Sequence, residues 1–289
     1  MPKSRTVEEP VELLAYLFAA WPEAKKKQVR VWLKYQAVSV NERTVTQFNH
    51  PLKRGDVVVI RTERASVPKV IREGGMKVYF EDAAVIVIEK PEGLLTMGTE
   101  TEQERTAYFR LTEYLRQVDE SARNRVWIVH RLDRETSGLM VFAKSARAKE
   151  VLAAGWSKVE KRYEAVVEGA MCGEEGALES DLNEASVLRV FSAPPSALTR
   201  HAVTHYRVLK RGKGRSLVEL SLETGRRHQI RVQLADAGCP VIGDKKYGAK
   251  SDPAKRVALH ACLLRFTHPE TGKELRFESP LPKELARLV

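Results

Sequence analysis

The chain has 289 residues, 43% of them hydrophobic, which allows one sizeable core and a small second domain. Its net charge of +11 favours a polyanionic partner, nucleic acid before an anionic membrane. No run approaches the roughly 18 apolar residues of a spanning helix, and "MPKSRTVEEP" has no hydrophobic signal core, so a cytoplasmic protein is expected. Cys172, Cys239 and Cys262 are far apart and form no CxxC pair, which argues against a disulfide framework or a zinc knuckle.

The charge is uneven: residues 1–75 hold 14 Lys/Arg and 8 Asp/Glu. In chain order, "VELLAYLFAAW" has helical periodicity. "KKKQVRVWLKYQ" predicts a second helix, with an apolar stripe of Val29, Val31, Trp32 and Tyr35. Its basic face carries Lys25, Lys26, Lys27, Arg30 and Lys34, the expected RNA contacts. "AVSVN" and "DVVVI" predict short strands, with "LKRGD" as the turn before the second. Residues 11–63 so read as a small α/β RNA-gripping domain. They resemble the αL RNA-binding domain first named from the fourth protein of the small ribosomal subunit. The chain departs from that pattern at Gln36-Ala37, where a glycine is usual, and at Asn41-Glu42, where Asn-Gly is frequent.

Residues 64–76 read as a linker, and 77–289 as a larger domain. "VYFEDAAVIVIEKPEGL" predicts two strands and a turn, and "TAYFRLTEYLRQV" an amphipathic helix. "VWIVHRL" and "GLMVFAK" predict strands, and "SARAKEVLAAGW" a helix capped by Ser145. Residues 171–200, mostly polar and holding Pro194-Pro195, are expected to be irregular. "KRYEAVVEG", "THYRVLKR" and "SLVELSLETG" are further strands, and "RRHQIRVQLADAG" starts a helix that Gly238 can end. "RVALHACLLRFTHP" and "ELRFESP" are the last strands. Many strands with few helices predict α+β, with a large mixed, mostly antiparallel sheet.

Asp133 lies in "VHRLDRETSGLMVFAK", with Arg131 and Arg134 on either side. An aspartate there also fits a turn cap. Three more blocks accompany it in order: "KPEGLL" with "KRYEAVVEG", then "GRRHQIRVQLADAGCPVIGDKKYG", then "ALHACLLRFTHP". Together they resemble the RluA-type family of pseudouridine synthases over residues 77–289. The resemblance implies that family's fold and the isomerisation of uridine to pseudouridine in RNA, with no cofactor and no metal. The absence of a Walker loop or a GxGxxG agrees. Structured ribosomal RNA is the expected substrate and transfer RNA the alternative, and a monomer is expected.

By the same resemblance Asp133 is the catalytic carboxylate. Attack on the sugar, attack on the base and removal of a sugar proton all stay open. Arg231, in "HQIR", is the cation expected to keep it ionised. Tyr163 is the aromatic expected to stack on a flipped uracil, its hydroxyl available for proton removal from C5. Arg131 is expected on the strand face of Asp133, filling the gap that the flipped base leaves. His130 is expected to be structural or to touch RNA, and Ile230 and Leu259 to form an apolar wall. Lys90-Pro91 is expected to order a loop. Gln233 replaces a frequent family histidine, which puts one contact beside the site or to RNA in doubt.

His201 and His205 have helical metal spacing, but "TRHAVTHYRVL" alternates like a strand, so no metal site is expected. Asp133 with Glu135 suggests a glycosidase pair, but no second acid block supports hydrolysis. The rival classes are an RNA-binding assembly factor on the same fold, which would make no product, and a base glycosylase, which would release free uracil.

Overall fold

The computed structural model describes residues 3–24, 26–34, 37–60, 75–118, 125–186 and 189–289. In the small unit, β1 (Lys3–Thr6), β2 (Val11–Glu12), α1 (Leu13–Ala20) and α2 (Lys26–Lys34) precede β3 (Val38–Val40), β4 (Arg43–Thr44), β5 (Pro51–Leu52) and β6 (Val57–Ile60). The main sheet of this unit has the order β1-β6-β3-β4. The polar "KSRT" of β1 does not announce a strand; it pairs antiparallel with β6 from Lys3↔Ile60 to Thr6↔Val57. Leu13, Leu17, Trp21, Val29, Leu33 and Ile60 form the core. Trp32 meets Trp21 edge-on at 6.3 Å. Lys26 and Arg30 are exposed on α2, and Lys27 and Lys34 belong to the same helix. Lys25 and Tyr35 lie outside the described residues, as do 64–74 of the expected linker.

Asn41 and Glu42 join β3 to β4 with φ of 48° and 66°, the two-residue turn that favours Asn-Gly. Glutamate takes the glycine position there. Asn41 holds the turn by accepting from Val57 N at 2.9 Å and donating to Asp56 Oδ1 at 2.8 Å.

The large unit begins with β7 (Lys77–Glu81), β8 (Val85–Lys90), α3 (Ala107–Val118), β9 (Trp127–Ile128), β10 (Ser137–Ala143) and α4 (Ala146–Ala154). Ser145 caps α4, accepting from Ala148 N at 3.0 Å. Then come β11 (Glu160–Glu168), β12 (Glu175–Asn183), β13 (Phe191–Ser192), β14 (Thr199–Gly212), β15 (Arg215–Leu222), α5 (Gln229–Asp236), β16 (Leu259–Thr267), β17 (Glu274–Glu278) and α6 (Lys283–Ala286). Among the described residues these strands form one sheet in the order β13-β12-β14-β15-β11-β16-β10-β8-β7, with β9 beside β10 and β17 beside β16. The β10–β16 pair is parallel and its neighbours are antiparallel, the mixed sheet that the sequence implies.

Residues 85–88 of β8 and 138–143 of β10 read as continuous apolar runs because both faces are covered. Ile86, Ile88, Met140 and Phe142 share a core with Leu111 and Leu115 of α3. Val85, Val87, Leu139 and Val141 share another with Ala148 and Leu152 of α4. The expectation of an irregular 171–200 fails over 175–183. β12 pairs with β14 from Glu175↔Arg207 to Asn183↔Thr199. It lies near the sheet edge and only Leu182 is fully buried, so its strand alternation carries almost no hydrophobic signal.

β10 and β16 touch only at Ser137↔His260 and Gly138↔Ala261 before they diverge. Gly138 has φ +125°, and a Cβ there would stand 2.3 Å from Ala261 O. Because the pair is parallel, both strands start at the same end of the sheet.

Candidate active site

That shared end carries the cleft. The loop entering β10 supplies Arg131 and Asp133, β16 supplies Leu259, β11 supplies Tyr163, and α5 supplies Ile230 and Arg231. Five of the residues expected at the site thus meet around Asp133. Arg131 and Asp133 are not on a strand, however, because β9 stops at Ile128. The buried Thr96 hydroxyl donates to Leu132 O at 2.8 Å and accepts from Leu132 N at 3.2 Å, so Leu132 needs no ladder partner.

Lys90 fixes the next turn of this loop. It is 0% exposed, and its Nζ donates to Pro91 O at 2.9 Å, Leu94 O at 2.8 Å and Arg134 O at 3.3 Å. Gly93 N also donates to Arg134 O, at 2.8 Å. The carbonyl one residue beyond Asp133 is therefore held twice. Burial pushes the Lys90 ammonium down to about 7, while Asp133 and Glu135 pull it back up.

Arg231, the third residue of α5, is buried at 2% exposure. Its Nε and Nη2 donate to Asp244 Oδ2 and Oδ1 at 2.6 and 2.9 Å. Nη1 lies 3.4 Å from Asp133 Oδ2 and 3.0 Å from Glu135 Oε2. Burial opposes its charge, but Asp244, then Asp133 and Glu135, outweigh burial and raise its pKa. Arg231 is thus a shared cation whose main anchor is Asp244, a residue that the sequence reading gave no role. A buried arginine on a short helix requires a carboxylate nearby, but that burial is seen only in the structure.

Burial, then the charge of Asp133, pushes the Tyr163 phenol above its usual range. Burial also opposes ionisation of Glu135, but Arg231 draws its pKa below the carboxylate norm. A glycosidase acid needs the opposite shift.

His228 lines the cleft, with the buried Tyr247 against it, and both were missed in the sequence. His228 precedes α5 with φ 55° and ψ 15°. Its Nδ1 lies 2.7 Å from Tyr247 Oη, and its Nε2 3.9 Å from Asp133 Oδ1. Tyr247 Oη accepts from Val190 N at 3.2 Å, and its ring lies 5.2 Å from Arg231 Cζ.

Of the two expectations for His130, the geometry fits the structural one and not substrate binding in the cleft. It stacks on Trp156 at 4.5 Å and accepts from Val141 N at 3.1 Å, away from the cleft lining. Burial, then Lys161, pushes its pKa down to about 3, so it is neutral. Gln233 faces the sheet, not RNA. It donates to Leu178 O and Ala202 O at 3.0 Å and accepts from Thr204 Oγ1 at 2.6 Å. His201 and His205 lie on β14 and approach different carboxylates, Asp181 and Glu223. Among the described residues no cluster of three or more His, Cys, Asp or Glu has metal-binding geometry.

Residues 84–236 match the family model described as RNA pseudouridylate synthase. The chain is 35% identical, over 91% of its length and 88% of the relative's, to an uncharacterised RNA pseudouridine synthase, YlyB, of Bacillus subtilis. It is 31% identical to ribosomal large subunit pseudouridine synthase D of Vibrio cholerae, over 96% of this chain and 89% of that one. Among solved structures, human RNA pseudouridylate synthase domain containing 4 matches with a TM-score of 0.61 and 25% identity, over 73% of this chain and 92% of that one.

Proposed function

Since this chain belongs to the RNA pseudouridylate synthase family, and so isomerises uridine to pseudouridine in RNA, we propose that its substrate is large-subunit ribosomal RNA and that Asp133 is its catalytic carboxylate. The observation that carries the second part is the meeting of Asp133, Tyr163 and Arg231 in one cleft. For the first part, relatives from Vibrio cholerae and Neisseria meningitidis that carry ribosomal large subunit names match over 96% and 95% of this chain.

In this reading a uridine flips out of its stack and enters the cleft, at a cost of a few kcal/mol that is least in loops. Tyr163 stacks on the base, and Ile230 and Leu259 bound it. Asp133 acts with Arg231 balancing its charge, while Arg131 reaches toward the vacated stack. The N1–C1′ bond breaks and a C5–C1′ bond forms. The proton lost from C5 is matched by one gained at N1, so no redox partner is needed. The small unit, with Lys26 and Arg30 outward, is an RNA-binding domain that adds phosphate contacts. A cytoplasmic monomer belongs to the same reading.

The test is tritium release from C5-labelled uridine in ribosomal RNA transcripts. Wild-type enzyme should release tritium and Asp133→Asn should release none while still binding RNA. Equal release by the two proteins overturns the role of Asp133. Release from transfer RNA alone overturns the substrate.

A further inference from the structure

His228 occupies the left-handed backbone region, which disfavours any residue with a Cβ, and it does so beside Asp133. Its ring orientation fixes its protons. The Val190 N–H donates to Tyr247 Oη, and a backbone N–H has no other role open to it. Among the described residues the Tyr247 hydroxyl has one acceptor for its own proton, His228 Nδ1 at 2.7 Å. Nδ1 therefore accepts, and the proton of the neutral imidazole sits on Nε2. Burial, assisted by Arg231, Lys246 and Arg227 against Asp133, favours that neutral form.

The Nε2–H so fixed faces Asp133 Oδ1 across 3.9 Å. That is too long for a direct hydrogen bond. It leaves the two groups close enough for one oxygen to bond to both. The bridging atom must accept from His228 and donate to Asp133. A uracil carbonyl cannot donate, the base N3–H cannot accept, and a phosphate oxygen would face a carboxylate. A water or a hydroxyl does both, and the hydroxyl that a nucleotide within an RNA strand brings to this position is the ribose 2′-OH.

We propose that His228 and Asp133 together hold the 2′-hydroxyl of the target nucleotide, which makes His228 the residue by which this cleft selects ribose over deoxyribose. Tyr247 is a positioning residue that acts through the His228 tautomer. The inference rests on the reading of the cleft as the uridine site.

The experiment uses a ribosomal RNA fragment around a uridine that the wild-type enzyme converts, synthesised with either ribose or 2′-deoxyribose at that one position. Equilibrium binding of both fragments is measured for the wild type, His228→Asn and Tyr247→Phe. Asparagine tolerates the left-handed backbone, and a general loss of folding would weaken both fragments alike. The wild type should prefer the ribose fragment, and His228→Asn should lose about three- to tenfold of that preference. Tyr247→Phe should lose a smaller part of it. An unchanged preference in His228→Asn, with wild-type conversion intact, overturns the role of His228 alone. Failure of the wild type to convert any uridine overturns the functional reading, and this inference with it.

Discussion

Arg231 is bound more closely to Asp244, at 2.6 and 2.9 Å, than to Asp133, at 3.4 Å. The cation of the cleft is therefore positioned from behind, and its third nitrogen is left facing the chemistry. Asp244 is 1% exposed, so Asp244→Ala leaves a buried guanidinium without its main partner. The expected loss of stability is about 3–5 kcal/mol, read by urea unfolding. In whatever fraction stays folded, kcat should fall more than RNA affinity, since Asp133 and the RNA contacts remain. A stability change under about 1 kcal/mol would show that Arg231 does not depend on this anchor.

Lys90 gives stability a pH dependence whose sign is fixed. Its folded pKa is about 7, below the ordinary 10.5. Between these values the unfolded chain binds the proton that the folded chain has released, so stability rises with pH across this window. Below about 7 both states are protonated and the burial cost is full. Thermal unfolding at several pH values between 7 and 10.5 should show this rise in the wild type and lose it in Lys90→Met. A parallel pH dependence in the two proteins would mean that the three carbonyls hold the ammonium charged throughout.

Tyr163 separates stacking from proton handling. Tyr163→Ala should weaken binding of the target RNA by about 1–3 kcal/mol, whereas Tyr163→Phe should bind as the wild type does. Because the phenol is raised above its usual range, ionisation of Tyr163 should not bend the rate profile below about pH 10. A fall in rate near pH 9 that disappears in Tyr163→Phe would contradict this.

His130→Ala should act on the fold and not on RNA. It removes the acceptor of a buried Val141 N–H and the stack on Trp156. About 1–3 kcal/mol of stability should be lost, with an unchanged salt slope of RNA binding. A shallower slope would return His130 to the RNA surface.

Lys26→Ala and Arg30→Ala test the small unit. Each phosphate contact removed should lower the log–log salt slope of ribosomal RNA binding by about 0.7–0.9. Slopes equal to wild type in both variants would assign the basic face of α2 to solvent.

Helices and buried strands were legible where one residue pattern decides one structure. The run 85–88 is buried because it is apolar throughout, and Ser145 caps α4 as its side-chain chemistry dictates. Arg131, Asp133, Tyr163 and Arg231 were legible from ordered motifs, and the cleft brings them together. Strand alternation misled at "HRLD", since a hydroxyl distant in sequence, that of Thr96, replaced the ladder for Leu132. Asp244, Tyr247 and His228 escaped for a related reason. Their roles are set by which side chain each one meets across a turn, and periodicity carries no record of that.

The contact between Gly138 and Ala261 bears on how such a site changes over time. The strands that open into Asp133 and Leu259 stand at a separation that only bare backbone permits. The gauge of the cleft is thus set where there is no side chain to vary. Substitutions along its lining can alter what a nucleotide touches, but not the spacing of the two strands beneath it. A wider gauge requires moving a strand, and with it the loop that carries the carboxylate.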